Sequence, residues 1–472
     1  RPNRMEIDMS ADVRRNDDLT IKFKARWVRG NPRLIAWTWD KSVAGSFLVE
    51  IPENLGTPGK RNSTFAANTP PQVDELLHSP AVPTSSQSVR VTARITSVDP
   101  LSSVSVRHRA DSSNNTGSWK TKTMYDDGSR GGDEVAGDGI FAGTLTEYRT
   151  NGRRVQFYVE ARTEAGRSHS QPKWGPDRPA LYVVDNRKPK TDLRTVRLVV
   201  SDYDMGAVSN GGSSKYKYKF PRLSNHYFNA TFISNEKDIR YNCEMRNSGS
   251  PWTRGNHLNR GKWKMPNDRR FRGKYKLSWD DDANGRVSRN RLTRYMLYLM
   301  GHVVNENEMI WFTVNSSSPQ MREEVEPVAN DFLSRNFTDG VKGNLYRIDD
   351  EWWFTDSWDR QNRNADWSYK SSDNPGRYRS EWMKRTNEWE DDYSALINLF
   401  KTVRTSYKQE QIERLVDPHQ TMIMSMVRGY IDDWDSFSLR RGKNGYFYQR
   451  HDDGKFQFLH WDSDLAYGNA SS

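Results

Sequence analysis

The stretch Tyr446–Trp461, YFYQRHDDGKFQFLHW, restricts the fold more than any other part of the chain. Two aromatic, alternating runs flank Asp453-Gly454. An Asp-Gly pair in that setting is a hairpin turn, because its backbone must enter the left-handed region that Gly and Asp tolerate. A hairpin brings together whatever stands at its open end, since cross-strand neighbours lie about 5 Å apart. A three-residue loop at 452–454 sets Asn444 opposite Asp462, and a two-residue loop sets Gly445 there instead. An amide oxygen and a carboxylate then converge. Asp464, two residues on, falls in the next turn as an auxiliary. A helix ending near Ile431 delivers Asp435 to the same end. The plain alternative is a set of polar residues closing an ordinary hairpin.

Upstream, the chain divides by pattern. Residues 1–66 read as a β-rich domain that begins incomplete, with strands in LTIKFKARWV, RLIAWTWD and SFLVEI and a Pro/Gly turn series after them. Residues 67–84 read as a linker. Residues 85–188 alternate short strands with turns, the spacing of an immunoglobulin- or fibronectin-like sandwich; without a Cys pair it is not of the antibody type. From 189 to 472 strands come first, helices later, and the hairpin last, so this part is expected to be α+β. One helix, RLTRYMLYLMGH, is expected to bury Leu292, Tyr295, Met296 and Leu299, which recur at helical spacing.

Composition narrows the function classes. The 17 Trp and 21 Tyr supply large apolar area and argue against disorder. No apolar run reaches the length of a membrane span. Cys243 is the single cysteine, so no intrachain disulfide forms, which suits the cytosol and many exported bacterial proteins alike. The chain starts at Arg1 rather than Met, which leaves open a removed leader or a longer parent chain. Residues 201–300 hold 20 Lys+Arg against 9 Asp+Glu, that is +11, the whole net charge of the chain. The bland reading is a solvated basic face; the sharper one is a surface for an anionic ligand. Base-reading motifs are missing, so nucleic acid ranks low.

The order helix, Asp435, short loop, Asn444, hairpin, Asp462 is the order in which protein kinases present a catalytic Asp, a metal-binding Asn and a metal-binding Asp. Mg²⁺ takes hard oxygens, and an attacking hydroxyl needs a carboxylate beside it. The strings H-R-D and D-F-G are absent. The chain does resemble the CotH kinase-like family, a group of atypical protein kinases. The likeness rests on RYNCEMRNSGSPW, on GKYKLSW, on EEVEPVANDFLSRNFTDGVKGNLYRI and, most specifically, on DDWDSFSLRRGKNGYFYQRHDDGKFQFLHWDSDLAYG. It covers roughly residues 190–472. The resemblance implies a kinase-related fold with ATP and Mg²⁺ (or Mn²⁺) bound between lobes. It implies Asp435 as the catalytic base, Asn444, Asp462 and Asp464 as metal ligands, Lys274 or Lys276 on the phosphates, and Glu326 paired with that lysine. Glu323 and Glu324 compete for the Glu role. The β-rich leader and terminal motif resemble exported multidomain bacterial proteins with immunoglobulin-like and lamin-tail-like domains. A secreted, extracellular or cell-envelope location follows as an expectation, with a protein substrate or assembly partner and a homo-oligomer among the partners considered.

Other readings stand beside this one. The chain could be a non-catalytic structural subunit that keeps a kinase-like scaffold, or a polysaccharide-binding protein using EWWFTDSWD and ADWSYKSSDNPGRYRSEWMKR, although core packing is the favoured use of those tryptophans. Ca²⁺ is a weaker candidate at two loops. One holds Asp126, Asp127, Asp133 and Asp138, where turn formation is the favoured reading. The other opens with Asp280, Asp282, Asn284 and Gly285 but has Arg291 where a calcium loop needs a bidentate Glu. His257 and His460 as ligands rank below surface or packing roles.

Overall fold

The computed structural model describes residues 22, 24–26, 33–37, 44–51, 59, 68–208, 226–249, 258, 260–281, 285–348, 367–379, 381–405, 408–437 and 442–468. They form a β-rich chain of several sheets with few helices. At the N-terminal end β1 (Arg33–Trp37) and β2 (Ala44–Leu48) pair as a hairpin. A three-stranded sheet follows, β3 (Gln72–Ser79), β4 (Val89–Thr96) and β7 (Ile140–Leu145). A second sheet runs in the order β10 (Ala180–Val183), β8 (Arg154–Thr163), β5 (Leu101–Ala110), β6 (Lys120–Thr123), with β9 (Ser168–Gln171) on β8. Alternating residues of both sheets share one core, from Val91 and Ala93 to Val106, Phe157 and Val159. The middle of the stretch expected to be a linker, 67–84, is β3: Val73 and Leu76 are buried there, so Gln72–Ser79 belongs to a sheet.

Beyond residue 190 seven strands close a barrel, in the order β11 (Arg194–Val199), β12 (Phe228–Ser234), β13 (Asp238–Asn247), β14 (Gly261–Lys264), β15 (Lys276–Asp281), β17 (Gln320–Val325), β16 (Asn307–Val314). A parallel pairing of β11 with β16 completes the closure. Trp263 and Trp279 stack in its interior at 4.9 Å between centroids, packed against Phe312. Strand alternation then turns the neighbours of these tryptophans outward. Lys262 and Lys264 on β14, with Lys276, Ser278 and Asp280 on β15, share the outer face, since Lys262 pairs with Ser278 and Lys264 with Lys276. The barrel is joined to the upstream sheets through Val199, Ile233, Ile239 and Tyr241, which pack into their core, and through the buried Arg197–Asp185 pair at 2.9 Å.

Among the described residues the helices are α1 (Asp202–Val208), α2 (Arg286–Leu299), α3 (Asn330–Asn336), α4 (Ser394–Thr405), α5 (Gln409–Glu413) and α6 (Pro418–Tyr430). The remaining sheet is β19 (Trp382–Lys384), β18 (Asn344–Ile348), β20 (Gly445–Gln449), β21 (Phe456–His460). Helix α6 starts where the sequence says it should: Asp417 accepts from the Gln420 amide and Pro418 takes the first helical position. Of the four residues expected inside helix α2, Met296 packs against the core and the other three do not. The helix buries Val287, Asn290, Thr293, Arg294 and Leu297 and leaves Leu292, Tyr295 and Leu299 exposed. Its polar side is needed against the barrel and the terminal loop. Among the described residues no helix is long and apolar enough to cross a membrane.

A candidate active site between the barrel and the terminal hairpin

The hairpin β20–β21 is in place, but its register is one residue from the expected one. Gly445 pairs with His460 and Gln449 with Phe456, and Arg450 still donates its amide to Lys455. The loop is therefore four residues, 451–454, and the same register carried outward puts Asn444 opposite Trp461, not Asp462. Both Asn444 (φ 61°) and Asp462 (φ 59°) have left-handed backbone, which swings their side chains out of the ladder. The Asn444 amide donates to Asp435, at 2.8 Å to the carbonyl and 2.9 Å to Oδ2. Lys443 approaches the other Asp435 oxygen at 3.4 Å. Asn444 and Asp435 thus form one unit, while Asp462 belongs to another.

Arg428 on α6 holds this end together. Its fully buried guanidinium donates to Asp433 Oδ2 at 2.7 Å, to the carbonyls of Trp461 at 2.9 Å and Asp462 at 2.7 Å, and to the carbonyl of Asn444. Helix α2 clamps the following loop: Asn290 accepts from the Ser463 amide at 2.6 Å, Arg289 donates to the Asp464 carbonyl at 2.7 Å, and Thr293 meets Tyr467 at 3.2 Å. His460, fully buried, bonds Ser463 at 2.7 Å.

Asp462 and Asp464 face the outer side of the barrel. Arg260, just before β14, reaches Asp280 at 2.8 Å and Asp464 at 3.8 Å, and it feels the charge of Asp462. Burial, then the nearby Asp462, raises Asp280 to about 7 even with Arg260 beside it. The same two causes raise Asp464. Three carboxylates crowd a water-poor cleft here, a setting that favours either protons or a cation. Among the described residues, no group of three or more His, Cys, Asp or Glu side chains is disposed to hold a metal ion. The set fits a cation that keeps phosphate and water oxygens in its shell, as Mg²⁺ does with one or two carboxylates, and does not fit an all-protein cage.

The lysines divide in two. Lys274 Nζ sits between Glu326 at 2.9 Å and Glu306 at 2.7 Å, and Arg335 closes the network by pairing with the same two glutamates. Glu323 pairs with Arg294 and Glu324 with Arg194, so each of the three competing glutamates has its own cation and Glu326 is the lysine's partner. Lys274 lies ahead of β15 and Asp280 near its far end, up to about 20 Å apart at about 3.3 Å per residue. Lys262 is the better placed. Its Nζ lies 5.9 Å from the ring of Trp461, the residue before Asp462. Burial, then the charges of Lys276, Arg246, Arg347 and Arg385, pushes its ammonium well below the ordinary lysine range. Lys276, buried on the same strand face, belongs to this basic group.

Residues 267–472 match the family model described as CotH kinase protein. This part of the chain is similar to that family. The match begins inside the barrel, so Arg260 and Lys262 lie ahead of it. A search of curated proteins gives no match to the chain. Within the matched segment, sequence reasoning found Asp435, Asn444, Asp462 and Asp464; Asp435 pairs with Asn444, Asp462 and Asp464 lie toward Arg260, and Arg428 ties the two sets together through the carbonyls of Asn444 and Asp462. That reasoning missed Arg428, although an arginine one turn after Met424 on an apolar helix face was a usable signal. It saw Asp280 only as part of a calcium loop. That loop is too short, since β15 runs through Asp281 and α2 opens at Arg286; Asp282 and Asn284 lie outside the described residues.

The acids of the upstream loop do turn work. Asp126 accepts from the amides of Gly137, Asp138 and Gly139, Asp127 from those of Ser129 and Arg130, Asp133 from Gly128 and Asp138 from Ile140. Trp367 and Trp382 are core residues, meeting at 4.7 Å over Phe447 and Phe458. Trp352, Trp353, Trp358 and His257 lie outside the described residues. Cys243 is a buried free thiol, raised to about 12 by burial.

Proposed function

We propose that the CotH kinase segment is an ATP-dependent phosphotransferase acting on protein hydroxyls, with exported or cell-envelope proteins as acceptors. One observation carries this reading: the outer face of β14 and β15 meets the segment Trp461–Asp464, Lys262 approaching the Trp461 ring and Arg260 bridging Asp280 and Asp464. Triphosphate oxygens would lie against Lys262 and Lys276. Asp462 and Asp464 would hold a divalent cation, which supplies charge neutralisation on the phosphates when bound. Asp435 would accept the hydroxyl proton, and the Asn444 amide orients its carboxylate for that task. Arg428 fixes the backbone of Asn444 and Asp462 and so keeps base and cation site in register.

A second reading has its own support. Arg260 already places a cation among Asp280, Asp462 and Asp464, which suits a kinase-like scaffold that works without metal as a structural subunit. Calorimetry with ATP and Mg²⁺ or Mn²⁺ separates the two. The phosphotransferase reading expects binding that needs the metal and is lost in Asp462→Ala, with transfer abolished in Asp435→Ala. Absence of nucleotide binding in the unmodified chain sinks it, and transfer that survives Asp435→Ala removes the role given to that residue.

A further inference from the structure

Helix α2 buries Asn290, Thr293 and Arg294 together with Val287 and Leu297, and leaves a second set of apolar side chains in solvent. Tyr295 is 58% exposed and Leu299 65%, with Leu292 and Tyr298 beside them. Large apolar residues clustered on one exposed helix face mark interaction surfaces more often than accidents. A groove of about 400 Å³ runs along this face, walled by Leu292, Tyr295, Tyr298 and Val304 and floored by Arg291 and Arg294. None of the residues lining it is acidic.

The groove also has unmet donors. Arg291 forms no ion pair among the described residues, and its Nη1 is shielded from water without an acceptor. Arg294 spends Nη2 on Glu323 and leaves Nε without a partner. Helix α2 holds four arginines and no Asp or Glu. An occupant that satisfies this groove must bring apolar side chains for the walls and a carboxylate for Arg291. A second copy of the chain docking by the same face would oppose arginine to arginine, since an isologous contact pairs a patch with itself.

We propose that this groove docks an acidic amphipathic segment of a partner protein, its apolar side chains against Leu292, Tyr295 and Tyr298 and a carboxylate on Arg291. The inference is independent of phosphoryl transfer. The test uses the full chain and a labelled helical peptide with leucines on one face and glutamates on the other, beside a version with lysines for the glutamates. Fluorescence anisotropy should show saturable binding of the acidic peptide, weakened by salt and about tenfold by Arg291→Glu, with the lysine peptide preferring the variant. Arg291 is half-buried, so the milder Arg291→Gln, whose thermal unfolding should match the parent, is measured beside it and should weaken binding of the acidic peptide in the same direction. Equal binding of both peptides, or none, overturns the proposal. So does self-association abolished by Leu292→Glu, which would assign the face to a second copy, or Arg291-dependent sedimentation with phosphatidylserine vesicles, which would assign it to a lipid surface.

Discussion

Arg428 and Asp433 are both fully buried, and the Arg428 Nε donates to Asp433 Oδ2 at 2.7 Å. The pair is also the frame of the site, because the same guanidinium takes up the carbonyls of Asn444, Trp461 and Asp462. Removing one member of a buried ion pair leaves the other charge without compensation, at a cost of about 3–5 kcal/mol. Arg428→Met should therefore lower the unfolding free energy measured in urea by that order, and adding Asp433→Leu should recover part of the loss. A double variant no more stable than Arg428→Met would show that the carbonyl contacts, not the ion pair, dominate.

Asp280 titrates near 7 in the folded chain against about 3.8 unfolded. Between those values the folded state keeps a proton that the unfolded state has lost. Stability contributed by this group thus falls as pH rises from about 4 to about 7, and above that the carboxylate is a net burden. Asp280→Asn should raise the Tm clearly at pH 8 and little at pH 5, by at most about 4 kcal/mol in free energy. Mg²⁺ should stabilise the parent more at pH 8 than at pH 5, because it takes the place of the proton. A variant whose Tm gain is equal at both pH values contradicts this.

Periodicity in the sequence located the strands of the upstream sheets, the helix α6 with its Asp417-Pro418 start, and the terminal hairpin, because each is decided by local alternation or capping. It failed at α2, where the apolar stripe Leu292–Tyr295–Leu299 faces solvent. There the core-facing side is set by Asn290 holding the Ser463 amide and Arg294 pairing with Glu323, contacts 173 and 29 residues apart that no local window contains. Hairpin counting failed by one residue for a similar reason: the loop spans His451 to Gly454, and Asp453-Gly454 alone does not give its length. Asn444 and Asp462 are still tied together, because Arg428 donates to the carbonyls of both, a link that the ladder does not make.

At Gly261 close approach, not flexibility, fixes the residue. A Cβ there would run into the ring of Trp279, which is buried and stacked on Trp263 in the barrel interior. The indole cannot step aside, since Nε1 donates to the Leu258 carbonyl at 2.9 Å and Phe312 packs against it. Gly261→Ala should cost about 1–3 kcal/mol, the usual range for overpacking a core. Chemical denaturation, with tryptophan fluorescence as the probe, measures it directly. A neutral effect would mean that β14 can shift without disturbing the pair.

Lys262 and Lys274 give the sharpest separation of the nucleotide cleft from the ion network at the start of β15. Lys262 stands against Trp461 in a cluster of cations, so Lys262→Met should remove a charge-assisted contact to phosphate and weaken Mg-ATP binding about ten- to a hundredfold. The folded chain should gain stability or stay level, since the substitution relieves repulsion from Lys276, Arg246, Arg347 and Arg385. Lys274→Met does the reverse. It strips one cation from the buried Glu326, leaving Arg335 alone to compensate it, and should cost about 1–3 kcal/mol of stability with nucleotide affinity unchanged. Calorimetry and thermal unfolding on both variants read the two effects apart. Loss of Mg-ATP binding in Lys274→Met with Lys262→Met unaffected would move the phosphate site to the Glu326 network.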